Sequence, residues 1–285
     1  MSKFLRTSCL VLCAYSALCA ITEGHLTTSN NNTLKAEDVN RPLLRALFSN
    51  LTADDPYLRN YLSVFPFGKY SIYYVENRDA YYVETITEDA LKNGVIKKGG
   101  LWERHIYDLL GQYTQPGSIA LDIGGHIGTH TLALSRFVGD EGSVHVFEPQ
   151  IKLFSEIVIN MHLNKCNNVV FHRRALGNVN KWAEMQPTTP WNEGNTLVGK
   201  GGDKVQMVRL DDFHFTNVSV IKIDVEGFEE KVLEGAKETI LLNKPVMLIE
   251  LWVKPGSPQI HAIERLGYKA VHILNSDFLF LPISK

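Results

Sequence analysis

The sequence predicts an α/β fold, a mostly parallel sheet with helices on both faces. Three observations predict it. From about residue 117 onward, strand-like apolar runs alternate with stretches that repeat apolar residues at helical spacing. The first of these runs leads into an acid, three glycines and a helix start, in "ALDIGGHIGTHTL" (Ala120–Leu132). With 285 residues, 45% of them hydrophobic, the chain can also bury a full core.

The segments before that alternation have their own character. Lys3 and Arg6 precede the apolar stretch Cys9–Ala20, which ends in small residues. That order describes a secretory signal, so residues 1–23 are expected to be a signal peptide or an uncleaved signal-anchor. The expected location is the secretory route, secreted or in the ER or Golgi lumen, with membrane attachment through this segment as the variant. Sequons at Asn31, Asn50 and Asn217 are compatible with that route, although Asn217 leads straight into a core strand. Residues 24–60 read as a polar stem, and 61–114 as an extension. Within it, "YSIYYVENRDAYYVETI" suggests a hairpin around Glu76–Asp79, and "GGLWERHIYDLLGQY" a helix entering the domain of residues 115–285. Cys9, Cys13 and Cys19 lie in the leader, so only Cys166 remains for the mature chain and no internal disulfide is expected.

In the domain, strands are expected at Ile119–Ile123, Ser143–Phe147, Val169–His172, Val205–Leu210, Val218–Asp224, Val246–Leu251, Tyr268–Ile273 and Phe278–Leu281. Between the second and third, Ile151, Phe154, Val158 and Met161 keep one apolar helix face. After Gly227, Val232, Ala236 and Ile240 do the same. Ser257 and Pro258 open a further helix as cap and first-turn proline, and Gly267 closes it. The pair Asp211-Asp212 reads as a strand end. Asn180–Lys204, rich in Gly, Asn and Pro and carrying Trp182 and Trp191, reads as an irregular segment. It is either a lid that meets the ligand or a surface hairpin whose tryptophans pack on the core.

The chemistry concentrates at strand ends. Parallel sheets bind ligands at the carboxyl ends of their strands, near the reversal of strand order. Glycines after Ile123 allow close backbone approach and positive φ, and the helix opening near Thr129 turns its positive end to the same space. Asp122 precedes that loop, and Glu148, at the second strand's end, stands where a ribose diol is gripped. The spacing Gly124-Gly125-x-x-Gly128 after an acid departs from the dinucleotide fingerprint and suits a nucleoside with a cationic amino-acid part, such as S-adenosylmethionine. A net charge of −2, from 29 basic and 31 acidic residues, argues against a nucleic-acid partner and for a small-molecule or glycan acceptor.

The ordered segments "LDIGGHIG", "VFEP", "HRRALGN", "VRLDDF", "IKIDVEGFEEKVLEGA" and "VMLIEL" resemble the FkbM-type family of S-adenosylmethionine-dependent methyltransferases over roughly residues 100–255. The resemblance implies a Rossmann-like class I methyltransferase fold with a seven-stranded sheet, and methyl transfer to oxygen, often a sugar hydroxyl. It assigns cofactor binding to Asp122, Gly124, Gly125, His126, Gly128, Glu148 and Ala175. Glu148 would hold the ribose and Ala175 would lie near the adenine. Catalysis falls to Asp224 and Glu226 near the sulfonium and acceptor. Where the family commonly shows Ala-Asn, this chain has Gly125-His126, with the glycine expected to be a harmless exchange. No metal site is assigned, although Asp224 and Glu226 have the oxygens to hold a divalent cation.

Proton removal from a hydroxyl needs a base within hydrogen-bond reach. Asp224 and Glu226 are expected to alternate along an extended segment and point to one side, with one pKa pushed up by the other. Helix capping by Glu226 and Glu229 is the structural alternative for that segment. His126 and His130 are other candidates for the base. The functional alternatives are a nicotinamide-dependent oxidoreductase on the same fold and a non-catalytic binding module.

Overall fold

The computed structural model describes residues 33–34, 70–75, 80–85, 91, 94–98, 100–187, 194 and 197–283. The leader, nearly all of the stem, the turn at 76–79 and Trp191 lie outside the described residues. The chain divides into two compact units, residues 1–74 with 83–86 and residues 75–82 with 87–285. Strand β1 (Thr33–Leu34) pairs antiparallel with β2 (Tyr70–Val75), and β3 (Ala80–Thr85) completes a three-stranded sheet in the order β1-β2-β3. The two tyrosine-rich runs are therefore neighbouring strands, as a hairpin requires.

The larger unit holds the alternation. Helix α1 (Arg104–Tyr113) is followed by β4 (Ile119–Ile123), α2 (Thr129–Val138), β5 (Ser143–Phe147), α3 (Ile151–Leu163) and β6 (Val169–His172). Later come β11 (Val218–Ile223), α4 (Glu229–Gly235), α5 (Lys237–Asn243), β12 (Val246–Glu250), α6 (Pro258–Glu264), β13 (Tyr268–Leu274) and β14 (Asp277–Pro282). The intervening strands β7 (Ala175–Leu176), β8 (Lys181–Met185), β9 (Val198–Gly199) and β10 (Lys204–Val208) belong to a separate sheet.

The main sheet has seven strands in the order β13-β14-β12-β11-β4-β5-β6. β12, β11, β4, β5 and β6 run parallel, whereas β14 lies antiparallel between β12 and β13. Strand order reverses beside β4, so the first strand is central and the glycine loop sits at the switch point. Leu121, Ile123, Ile221 and Ile223 pack on one face with Val232, Ile240 and Phe280. Ala120, Val144, Val220 and Leu248 pack on the other with Ile106, Leu110 and Leu134 of α1 and α2. Two apolar faces explain why the central strands read as near-continuous hydrophobic runs. Among the described residues, no helix is long and apolar enough to cross a membrane.

Several expectations are corrected. The run Val205–Leu210 is strand only as far as Val208, and that strand is in the second sheet, β7-β10-β8-β9. Asn180–Lys204 is not irregular throughout: β8 and β9 lie within it and β10 begins at its end. Met185, Val205 and Met207 form a buried cluster, with Ala183 packed against it. Trp182 is 54% exposed and is not part of that buried cluster. The helix after Gly227 is two short helices, broken at Ala236. At the last helix, Ser257 caps α6 through a hydrogen bond from the Ile260 N–H, with Pro258 at the first position.

Asp211 and Asp212 end no strand; they lie in a 3-10 turn, Leu210–Phe213. The buried Asp211 carboxylate accepts from the Glu238 and Thr239 backbone N–H groups at 3.1 and 2.8 Å, and from the Thr239 hydroxyl at 2.9 Å. It thereby caps α5 from a distant loop. Asp211→Ala should lower the unfolding free energy by about 2 kcal/mol in a urea titration, because three bonds to a charged acceptor are lost together.

Candidate functional site

Register builds the site. On adjacent parallel strands Val146, Asp122, Lys222 and Leu248 stand side by side, in the order β5, β4, β11, β12. Two residues further along each chain come Glu148, Gly124, Asp224 and Glu250. The strand tips thus present three carboxylates around one bare backbone position. An open cleft lies there, with about 490 Å³ of space that includes open solvent. Its lining brings together Gly124, Glu148, Ala175, Asp224 and Glu226. Phe147, Leu176, Val225 and Phe228 supply apolar wall.

Asp122, Gly125, His126 and Gly128 lie outside that lining. Asp122 is fully buried and accepts a 2.6 Å bond from the Thr131 hydroxyl, with burial holding its pKa above the ordinary value. The glycines serve packing. Gly124 has φ +85°, and a Cβ there would stand 1.8 Å from the Asp224 carbonyl oxygen. A Cβ on Gly125 would meet the Val146 side chain at 2.3 Å, so glycine is not a neutral exchange for alanine in this chain. A Cβ on Gly128 would approach Met161 of α3 at 3.0 Å. The Gly124 and Gly125 N–H groups both donate to the Phe147 carbonyl, locking the loop to the neighbouring strand.

His126 is left-handed at φ +51°, a conformation that Asn and His tolerate better than most residues. In that turn its backbone N–H donates to Glu148 at 3.0 Å, while the Gln150 N–H holds the other oxygen at 2.9 Å. Burial nevertheless pushes the Glu148 carboxyl up to about 8, against these two bonds. Ala175 is buried in β7, where it pairs in register with Met207.

The Asp224-Val225-Glu226-Gly227 segment is not extended: β11 ends at Ile223, and Glu226 sits in a turn at φ +55°. Glu226 still reaches the same cleft, and it is not the helix cap. Glu229 does the local bonding, accepting from the Val225 and Gly227 N–H groups at 3.1 and 3.0 Å. The two carboxylates have separated pKa values. Burial first, then the charges of Asp224 and Glu250, push Glu226 up to about 7. Burial acts to raise Asp224 too, but the Lys222 ammonium, 3.0 Å from Oδ2, brings it below the ordinary value. Glu250 shares a hydrogen bond with Asp224 and is raised by burial and by that neighbour's charge. Of the other candidate bases, His130 is buried, its Nε2 3.8 Å from Glu103.

Lys222, Glu103 and Glu250 carry much of this electrostatics and were not among the expected site residues. Lys222 is buried; that alone would neutralise it, but Asp224, Asp122 and Glu103 raise its pKa and keep it charged. Burial pushes Glu103, just before α1, up to about 7. A lysine inside the apolar run "VSVIKI" was the available signal, and its facing acid became visible only with the register. Among the described residues, no three His, Cys, Asp or Glu side chains are arranged to hold a metal ion.

Lys222→Met should lower the unfolding free energy by about 3–5 kcal/mol in urea titration at pH 7, since Asp122 and Asp224 would be buried without their counter-charge. The loss should shrink as pH falls toward 5, where those acids can take up protons. A loss independent of pH would count against the charge balance.

No curated protein matches the sequence. Among solved structures, the chain is similar to a methyltransferase FkbM from Methylobacillus flagellatus KT, at 16% identity and TM-score 0.43, over 85% of this chain and 58% of that one. It thus spans only 58% of that protein's length. A methyltransferase from Geobacter sulfurreducens aligns at 13% identity and TM-score 0.43, over 68% of this chain and 87% of that one. A putative rRNA-methylase from Clostridium thermocellum aligns at 12% and 0.42, over 64% and 95%. The family model of the methyltransferase FkbM domain matches residues 122–270, more than half of the sequence, and the chain belongs to that family of S-adenosylmethionine-dependent methyltransferases.

Proposed function

We propose that this protein transfers a methyl group from S-adenosylmethionine to a hydroxyl oxygen of a sugar or small metabolite. The observation that carries the proposal is the set of separated carboxylates at one cleft: Glu148 on one side, ionised Asp224 and proton-accepting Glu226 on the other. The cleft suits the cofactor. Glu148 is held rigidly by two backbone donors and keeps lone pairs for ribose hydroxyls, and Phe147, Ala175 and Leu176 offer an apolar wall for adenine. Negative charge at Asp224 and Glu226 complements an ammonium and a sulfonium. The bound cofactor supplies an electrophilic methyl group.

The chain's own residues position the acceptor and move its proton. Glu226, with a pKa near neutrality, accepts the hydroxyl proton as the oxygen attacks. Asp224, kept charged by Lys222, holds the adjacent positive charge and makes Glu226 a better proton acceptor. Glu250 and Asp224 share one proton, which limits the negative charge packed at the strand tips. We also propose that the protein works in the secretory route, on the strength of the basic and apolar order of residues 1–20, with signal-anchored membrane attachment as the variant.

Incubation with deuterated-methyl cofactor and a glycan and metabolite panel, read by mass spectrometry, tests the activity; no labelled product would overturn it. The rate should rise with pH through about 7, as Glu226 ionises, and then level. Glu226→Gln should lower kcat and remove that limb, whereas an unchanged profile would assign the base elsewhere. Glu148→Ala should weaken calorimetric affinity for the cofactor by about 1.5–3 kcal/mol if its bonds to the ribose are charge-assisted. In the unsubstituted protein that affinity should rise with pH through about 8, because ribose hydroxyls donate to the ionised carboxylate.

A further inference from the structure

We infer that Trp252 is the platform on which the acceptor rests, and that it selects a neutral pyranose ring over an anionic sugar. The inference rests on the methyl-transfer reading above. Trp252 lies two residues beyond Glu250, at the end of β12 and so at the same sheet edge as the cleft. Its side chain is 58% exposed. A lone exposed aromatic residue is ordinary on a protein surface; three features set this one apart.

The backbone turns tightly at this residue, with the Val253 N–H donating to the Leu251 carbonyl at 2.7 Å, a three-residue turn centred on Trp252. The indole also acts on the Glu250 carboxyl, lowering its pKa against the burial and the Asp224 charge that raise it. The ring also lies against the Glu226–Gly227 turn: a Cβ on Gly227 would come within 3.9 Å of it. An exposed indole thus lies beside both the acidic turn and the acidic strand tip.

A pyranose matches that arrangement. One face of the ring is a patch of C–H groups that stacks on an aromatic surface, and its rim carries hydroxyl donors. Here the rim would meet the carboxylates of Glu226 and Glu250, which accept but cannot donate when ionised. Hydroxyl groups fit such acceptors, whereas a phosphate, sulfate or uronate would face the anionic Asp224, with Glu226 adding like charge once it ionises. A stacked ring would also be held beside Glu226, the proposed proton acceptor, and this makes Trp252 a specificity-determining residue.

The test is saturation-transfer NMR on the full chain, with and without S-adenosylhomocysteine, using methyl α-D-glucopyranoside, methyl α-D-mannopyranoside, methyl α-L-fucopyranoside and glucuronate. At least one neutral glycoside should bind with saturation concentrated on one C–H face. Trp252→Ala should raise its Kd at least tenfold, Trp252→Phe should restore most of the affinity, and the Kd for S-adenosylhomocysteine should stay within twofold. The proposal is overturned if no neutral glycoside binds, if Trp252→Ala binds it equally well, or if glucuronate binds better. Failure of S-adenosylhomocysteine to bind the unsubstituted chain would instead strike the methyl-transfer reading, and the glycoside titration without it would still decide the role of Trp252.

Discussion

A lysine buried inside a parallel sheet sets the terms for everything at its edge. Lys222 stands on β11 beside Asp122 on β4, in the middle of strands that are otherwise apolar. A charge in that place is sustainable only with close partners of opposite sign, and these include Asp122 in its own row and Asp224 one row further. The ammonium also donates toward the Gly124 carbonyl at 3.5 Å, which ties the glycine loop to the same cation. Asp224 therefore remains charged among acids that hold their protons more tightly. Glu226, Glu250 and Glu103 surround it, and each is pushed toward its protonated form by burial and by like charge. One cation thus divides similar side chains into one fixed anion and several proton acceptors.

The glycine loop contributes geometry as well as access. Gly124 lets the first strand's end pass the Asp224 carbonyl without a side chain between them, so two strand tips can meet at one cleft. Gly125 and Gly128 let the loop and the start of α2 lie close to α3 and β5, with Ile157 near both. The left-handed turn at His126 then directs a backbone N–H to Glu148. His126 acts on the site through Glu148, as a positioning residue. Close packing and ligand geometry here are one constraint, because any shift of the loop would move the carboxylate it holds.

Opposite sides of the cleft come from different sheets. The strand tips of the main sheet carry the charged groups, while β7 of the smaller sheet places Ala175 and Leu176, and β8 and β9 place Met185 and Val198, along the apolar wall. Phe228, at the turn into α4, packs against that smaller sheet's core and also lines the cleft. Adenosine has the same division, an aromatic base joined to a polar ribose and, in this cofactor, a charged amino-acid end.

The sequence by itself determined the alternation of strands and helices, the carboxyl ends of the strands as the place of the cleft, and the acids Glu148 and Asp224 that line it. Each is local: period, a terminal proline or glycine, and an acid closing an apolar run can be read along the chain. It misplaced the strand at Val205–Leu210, because an apolar run does not say which sheet will receive it. It also treated Asp224 and Glu226 as neighbours on one strand, although a left-handed residue turns the chain between them and the helix. Only the tertiary structure decided that Lys222 faces Asp122, that Asp224 keeps its charge, and that Glu250 joins the site. Those facts depend on the register between strands nearly a hundred residues apart in the chain, and charge pairing across a sheet exists only once that register is formed.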